Sequence, residues 1–379
     1  MRKLTTNAVA MLLALVGCMG CGNRSASSVD NLIRVDVMAD YPEKELILQD
    51  LMDVEYIALE TTDDFITKGA VKAIGTNRGS DGDILVFDKN GKGLRKINRL
   101  GQSGEEYTQL TGLVLDEDND EIFVKDNPAR KIGVYDLLGN YKRSFKFTDT
   151  SYYNYIFNYD RDHLICYKSY PSEKGKRECH LIISKQDGRI THEIQIPSKG
   201  IETPVVTEGE FVITPEFYLT FPDRDKWILV NTSSDTIFHY LPDGNLSPFI
   251  VRSPSISSMD TKVFLFPTVI TDRYCFMRTM RKEVDFTTFK GFLGEDLVYD
   301  KQENALFSYI LYNDDFINKE EVSLTSEPRN PEIAICQTLD APDLVEAYEK
   351  GQLKGKLKEI AANLDEESNP VVMLLKKKK

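Results

Sequence analysis

The chain has 379 residues, with 60 acidic against 47 basic side chains and a formal net charge of −13. That balance excludes phosphate-backbone binding as the main activity, because nucleic-acid recognition needs a net basic face. Hydrophobic residues make up 41% and the chain holds 23 Gly and 15 Pro, a globular composition, while 18 Tyr and 19 Phe against one Trp lean toward β-structure.

Arg2 and Lys3 precede an apolar stretch from Ala8 to Val16, the layout of a signal peptide and too short to span about 30 Å of hydrocarbon. The run Leu15-Val16-Gly17-Cys18 resembles a bacterial lipobox, so residues 1–17 are expected to be removed and Cys18 to become the lipid attachment site. Cys21 fits less well, because Cys18 would then stand where Leu15 stands for the first choice. Residues 18–40 read as the lipidated cysteine and a tether, small and polar at first. Acyl chains contribute about 0.8 kcal/mol per buried CH₂, enough to hold a soluble domain on a membrane without a spanning helix. The expected location is the cell envelope, lipid-anchored, at an outer membrane facing the periplasm.

Residues 41–340 carry a recurring unit of strand, polar turn and strand. The first reads Ile84-Leu85-Val86-Phe87-Asp88-Lys89-Asn90-Gly91, and the second centres on Val134-Tyr135-Asp136-Leu137-Leu138-Gly139. Further copies end at Gly188, Gly244 and, more weakly, Asn304, so the turn residues are spaced by 48 to 60 positions. Asn-Gly and Asp-Gly supply the positive φ of tight hairpins, and this period points to a β-propeller of four-stranded blades. Dividing the region by the mean spacing gives six blades as the nearest whole number, with seven shorter ones as the alternative. Leu51 to Glu60 reads as a strand, Asp343 to Leu364 as a helix, and Pro370 to Leu375 as a final strand ahead of Lys376 to Lys379. The fold class predicted is therefore all-β: a six-bladed β-propeller in which residues 341–379, a helix and a terminal strand, pack on the ring and close it.

The segment Asp81 to Asp88, with Leu94-Arg95-Lys96-Ile97, Gly101 to Tyr107 and Ile132-Gly133-Val134-Tyr135-Asp136, resembles the six-bladed β-propeller lipoproteins of Bacteroidetes and, more distantly, NHL-like and TolB-like propellers. That family commonly carries Gly-x-Gly-Pro-Gly-Glu-Tyr after its first hairpin. Here Gly101, Glu106 and Tyr107 match, whereas Ser103, Gly104 and Glu105 depart from it. The resemblance implies a fold and an envelope location, and it carries over no established catalysis.

Catalytic, metal and cofactor motifs are not predicted anywhere in the chain. His163, His180, His192 and His239 lack ligand spacing, and Cys166, Cys179, Cys275 and Cys336 lack zinc spacing. Buried free thiols are expected, with Cys166 and Cys179 the nearest pair for a disulfide. Asp116 to Asp120 imitates half of a calcium loop, but Glu121 and Asn127 stand where Gly and Glu are required, so it reads as a hairpin turn. The aromatic run from Tyr152 to Tyr159 places Tyr153, Tyr155, Phe157 and Tyr159 on one face at a strand period of two. Tyr153, Tyr155, Tyr159 and Trp227 are the candidate ligand-stacking residues, and packing between blades is the competing reading. Two functions remain: a non-catalytic binding or scaffold propeller for a glycan, peptide or envelope protein, or a propeller lyase or hydrolase with carboxylates drawn from different blades.

Overall fold

Each turn residue singled out by the repeat adopts the left-handed conformation its chemistry favours: φ is 84° at Gly91, 84° at Gly139, 73° at Gly188, 82° at Gly244 and 52° at Asn304. An aspartate latches several of these turns. Asp88 Oδ1 accepts the backbone N–H groups of Asn90 and Lys92, and Asp136 Oδ1 accepts those of Leu138 and Asn140. The Asn140 side-chain amide also donates to Asp136, at 2.8 Å, and that bond at Asp136 and the backbone bonds at both turns hold the two carboxyls below the ordinary carboxylate range.

The computed structural model describes residues 32–66, 82–147, 152–169, 179–208, 211–215, 217–284, 292–325 and 330–378. Four antiparallel strands, Gly112–Asp116, Glu121–Asp126, Lys131–Asp136 and Tyr141–Lys146, form one sheet, and Tyr152–Asn158, His163–Ser169, Cys179–Ser184 and Ile190–Ile194 form the next. The third runs Thr220–Asp223, Lys226–Leu229, Thr236–Tyr240, Leu246–Ser253, and the fourth Val263–Ile270, Tyr274–Arg281, Asp296–Asp300, Ala305–Asn313. Chain ends make the fifth, in which Val371–Lys377 lies between Ile333–Leu339 and Met52–Ala58.

Apolar side chains fuse each sheet to the next, and the succession returns to its start. Phe123 and Val134 meet Leu164 and Leu181; Ile165 and Ile182 meet Trp227 and Leu229; Phe221 and Ile228 meet Phe264 and Met277. Phe276 and Val298 then pack on Met373 and Leu375. The hairpin of Asp83–Phe87 and Gly93–Asn98 fills the remaining gap, with Leu85 and Phe87 against Val372 and Leu374 on one side and Ile84 and Ile97 against Ile122 and Val124 on the other. Sheets packed face to face in a closed succession are a β-propeller.

Three expectations change in detail. The uniform set of six four-stranded blades is not what the described residues form: five sheets have three or more strands, and the first hairpin repeat is a two-stranded sheet. Spacing counts hairpins, and it cannot report how many strands accompany each one. Secondly, part of the expected tether is built into the ring, since Ile33–Asp36 pairs in parallel with Leu246–Ser253. Glu43–Ile47 likewise pairs in parallel with Ala305–Asn313, so both additions cover edges that would otherwise stand open. Lys44 fastens the second of them by ion pairs to Asp300 at 3.1 Å and Glu303 at 2.6 Å. Thirdly, the single C-terminal helix is two, Ala341–Glu349 and Gly355–Ala361, separated where Gly351 turns left-handed at φ 68°.

The family-like segment 101–107 proves to be a structural clasp. Glu106 accepts the Ser103 N–H at 2.8 Å, and a Cβ at position 101 would overlap that carboxylate. Tyr107, buried, donates its hydroxyl to the Gly82 carbonyl and accepts the Arg99 N–H at 3.1 Å. The two residues that match the family motif beyond Gly101 therefore fix the loop that leads into the next sheet.

Candidate binding channel

Strand Gly112–Asp116 lies beside Tyr152–Asn158, and these strands face the middle of the ring. Two cavities open there. The upper one, about 840 Å³, lies where these strands begin and is lined by Thr108, Thr111, Asn127, Asn154, Tyr155 and Tyr218 among others. A lower one of about 500 Å³ lies where they end, bounded by Glu117, Asp118, Tyr159, Asp225, Trp227 and Asn330 among others. Leu113, Val114 and Ile156 border both, so an apolar waist separates two chemically different chambers.

The upper wall is fixed by a buried carboxylate. Asp126, fully buried, accepts the Thr108 N–H at 2.6 Å, the Thr108 hydroxyl at 2.9 Å and the Ala129 N–H at 3.0 Å. Thr111 donates its hydroxyl to the Lys125 carbonyl at 2.9 Å and accepts the Asn127 N–H at 3.2 Å. Across the cavity, the Asn154 amide donates to Ser169 Oγ at 2.7 Å. Two loops and a strand are thereby held in place, and a wall fixed in this way would lower the entropic cost of any binding.

The stacking candidates part company. Tyr153 is 1% exposed and packs on Phe147 at a centroid distance of 4.7 Å, inside the layer between two blades. Tyr155 lines the upper cavity and meets Tyr218 edge to face at 5.6 Å. Tyr159 and Trp227 lie 6.0 Å apart at the lower cavity, and Tyr240 stands beyond Tyr159 at 6.4 Å. The shared face expected of Tyr153, Tyr155, Phe157 and Tyr159 is broken by a bulge, because Asn154 pairs with Tyr167 but Phe157 with Ile165. One extra residue reverses the alternation, sending Tyr153 into one inter-blade layer and Phe157 into the opposite one. Tyr155 sits in the bulge with φ 50°, a conformation costly for an aromatic residue. Cys18 lies outside the described residues.

Other groups that the sequence brings to notice are structural. Asp116 of the calcium-like turn is buried against Lys185 at 2.6 Å. His180 is fully buried and donates from Nε2 to the Leu219 carbonyl at 3.0 Å, and burial pushes its imidazole down to about 4. His239 meets Asp223 at 3.2 Å, and His163 meets Asp160 at 2.9 Å. Cys166 and Cys179 are buried free thiols in one inter-blade layer, the first raised well above the ordinary thiol range by burial. Sequence reasoning missed Asn127, Thr108 and Tyr218, which are far apart in the chain. The one available signal was the density of Thr, Asn, Asp and Pro between positions 108 and 128.

Fold and channel together define a β-propeller with its cavities on the ring axis. Residues 32–376 match the family model described as "Domain of unknown function (DUF4934)", and the chain belongs to that family. No curated protein matches it. Among solved structures it is similar to a protein of Bacteroides fragilis named as a candidate exported protein, at 13% identity over 92% of this chain and 99% of that one, with a TM-score of 0.55. It also resembles a member of the duf4221 family from Bacteroides vulgatus, at 8% identity, 87% and 98% coverage and a TM-score of 0.47. A virginiamycin B lyase from Staphylococcus aureus follows at 12% identity, 86% and 99% coverage and a TM-score of 0.38. At these identities the likeness concerns the fold alone.

Proposed function

We propose that the mature chain is a lipid-anchored envelope protein that binds a glycan, peptide or partner protein in its channel without turnover. The observation that carries the reading is the upper cavity, about 840 Å³ and walled by loops locked through Asp126; that volume is within the range of about 300 to 1,000 Å³ usual for small-molecule sites. Location at an outer membrane rests on the lipobox-like run ending at Cys18 and on the exported character named for the Bacteroides fragilis relative. Six blades belong to the same proposal, with the 83–98 hairpin as the core of the sixth. A propeller lyase or hydrolase is the second reading, favoured by Glu117, Asp118 and Asp225 lining the lower cavity near Tyr159 and Trp227.

Cell fractionation and calorimetry test the proposal. Cys18→Ala is expected to leave the membrane fraction or to persist as uncut precursor; continued lipid labelling of that variant contradicts the anchor. Glycans titrated into purified protein are expected to bind and be recovered intact, and shortened or unsaturated products would establish the enzyme instead.

A further inference from the structure

The two chambers of the channel differ in the sign of their charge. Acidic side chains outnumber basic ones across the chain by 60 to 47, and the lower cavity follows that bias with Glu117, Asp118 and Asp225 on its wall. Arg224, which also borders the lower cavity, is taken up by Asp272. The upper cavity reverses the bias: among its described lining residues the one charged side chain is a cation, Lys125. Of the two chambers, it is therefore the one that favours an anion.

Strand geometry brings that lysine to the cavity. Lys125 stands directly opposite Gly112, the first residue of the channel strand Gly112–Asp116. A Cβ at position 112 would lie 3.0 Å from Lys125 Cε and 3.6 Å from its Nζ, so the missing side chain leaves room for the lysine tip over that strand. The residue is half-buried, and a charge partly withdrawn from water is screened less than one on the open surface. Asp126, next in the chain, alternates to the other face of the sheet, and its fully buried carboxylate is occupied by Thr108 and Ala129.

Around the lysine the polar lining is neutral. Thr108, Gln109, Asn154 and Thr214 carry hydroxyls and carboxamides, groups that both donate and accept, and Gln109 and Thr214 are exposed. Tyr155 and Tyr218, edge to face at 5.6 Å, and the waist of Leu113, Val114 and Ile156 supply apolar surface. From this arrangement we infer that the upper cavity recognises an acidic oligosaccharide carrying one uronic acid. Its carboxylate pairs with the Lys125 ammonium, its hydroxyls meet the carboxamides and threonines, and a C–H face of a ring lies against the tyrosines. One cation answers one carboxylate, so a single uronate among neutral sugars fits this wall better than a polyanion, whose further charges would be desolvated without a partner. The inference rests on the channel-binding proposal and adds the ligand class and the chamber.

Calorimetric titration of the mature protein tests this, with neutral gluco-, manno- and xylo-oligosaccharides of two to six units, each beside a counterpart carrying one uronic acid. At least one acidic sugar is expected to bind about tenfold or more tightly than its neutral parent, the gain from one charge-assisted hydrogen bond. Lys125→Met should abolish that gap and leave the affinity for the neutral sugar where it was, and Lys125→Arg should keep most of it. The methyl ester of the same uronate should bind the unaltered protein only as well as the neutral sugar, a comparison that stands whether or not the Lys125 variants fold. Asp118→Asn, in the lower cavity, should change neither affinity. Equal binding of acidic and neutral sugars, or a gap that survives Lys125→Met or esterification, overturns the inference while leaving channel binding standing. Tighter binding of a tripeptide with a free C-terminal carboxylate than of every acidic sugar does the same. Failure of every sugar to bind overturns the inference as well, and cleavage of the sugars would remove the non-catalytic proposal beneath it.

Discussion

Removal of the terminal strand should be far more damaging than its position at the chain end suggests. Val371–Lys377 pairs at seven positions with Met52–Ala58 and at six with Ile333–Leu339, so it is a central strand. Its five residues from Val371 to Leu375 are between 0% and 6% exposed, directed alternately into the two flanking layers. At about 1.5 to 3 kcal/mol for each buried side chain, their loss amounts to about 8 to 15 kcal/mol. That equals the whole stability of a typical domain, about 5 to 15 kcal/mol. Deletion of residues 370–379 is therefore expected to yield chains that do not fold. The quantitative version is Leu375→Ala, at a fully buried position, which should cost about 2 to 5 kcal/mol in urea unfolding. Leu138→Ala, at a residue 60% exposed, should stay within about 0.5 kcal/mol. Equal unfolding midpoints for Leu375→Ala and the parent protein would refute ring closure by this strand.

Two further outcomes follow from the same geometry. His180 remains neutral in the fold down to about pH 4, whereas in the unfolded chain it protonates near pH 6.5. The unfolded state then binds the extra proton, so stability is lost as pH falls through 6.5 and the loss levels off near 4 at about 3 kcal/mol. Urea unfolding at several pH values should give a shallower profile for His180→Gln, and parallel profiles would contradict the assignment. Tyr153→Ala should cost about 3 to 5 kcal/mol, as for other large buried aromatics, without changing ligand affinity in the folded fraction; lost affinity at unchanged stability would return Tyr153 to the binding surface.

Local chemistry accounts for what was legible in the sequence. Asp-Gly and Asn-Gly turns dictate backbone conformation within four residues, and all five turn positions have the positive φ they call for. The apolar run from Val371 to Leu375 likewise reads as a buried strand from its own composition. Ile33–Asp36 and Glu43–Ile47 join their sheets in parallel, and a parallel edge strand has no adjoining turn to announce it. The aromatic run misled because alternation assumes an unbroken ladder, and the bulge at Asn154 to Phe157 inserts one residue. The upper cavity draws its wall from positions near 110, 125, 155 and 215, separations that no motif spans.

The central claim is that the channel holds a ligand and leaves it intact. Native mass spectrometry of the mature protein, incubated with gluco-, manno- and xylo-oligosaccharides and sampled over hours, tests it most directly. The account predicts a one-to-one adduct of unchanged sugar mass. Progressive replacement of that adduct by shorter or dehydrated products would contradict it.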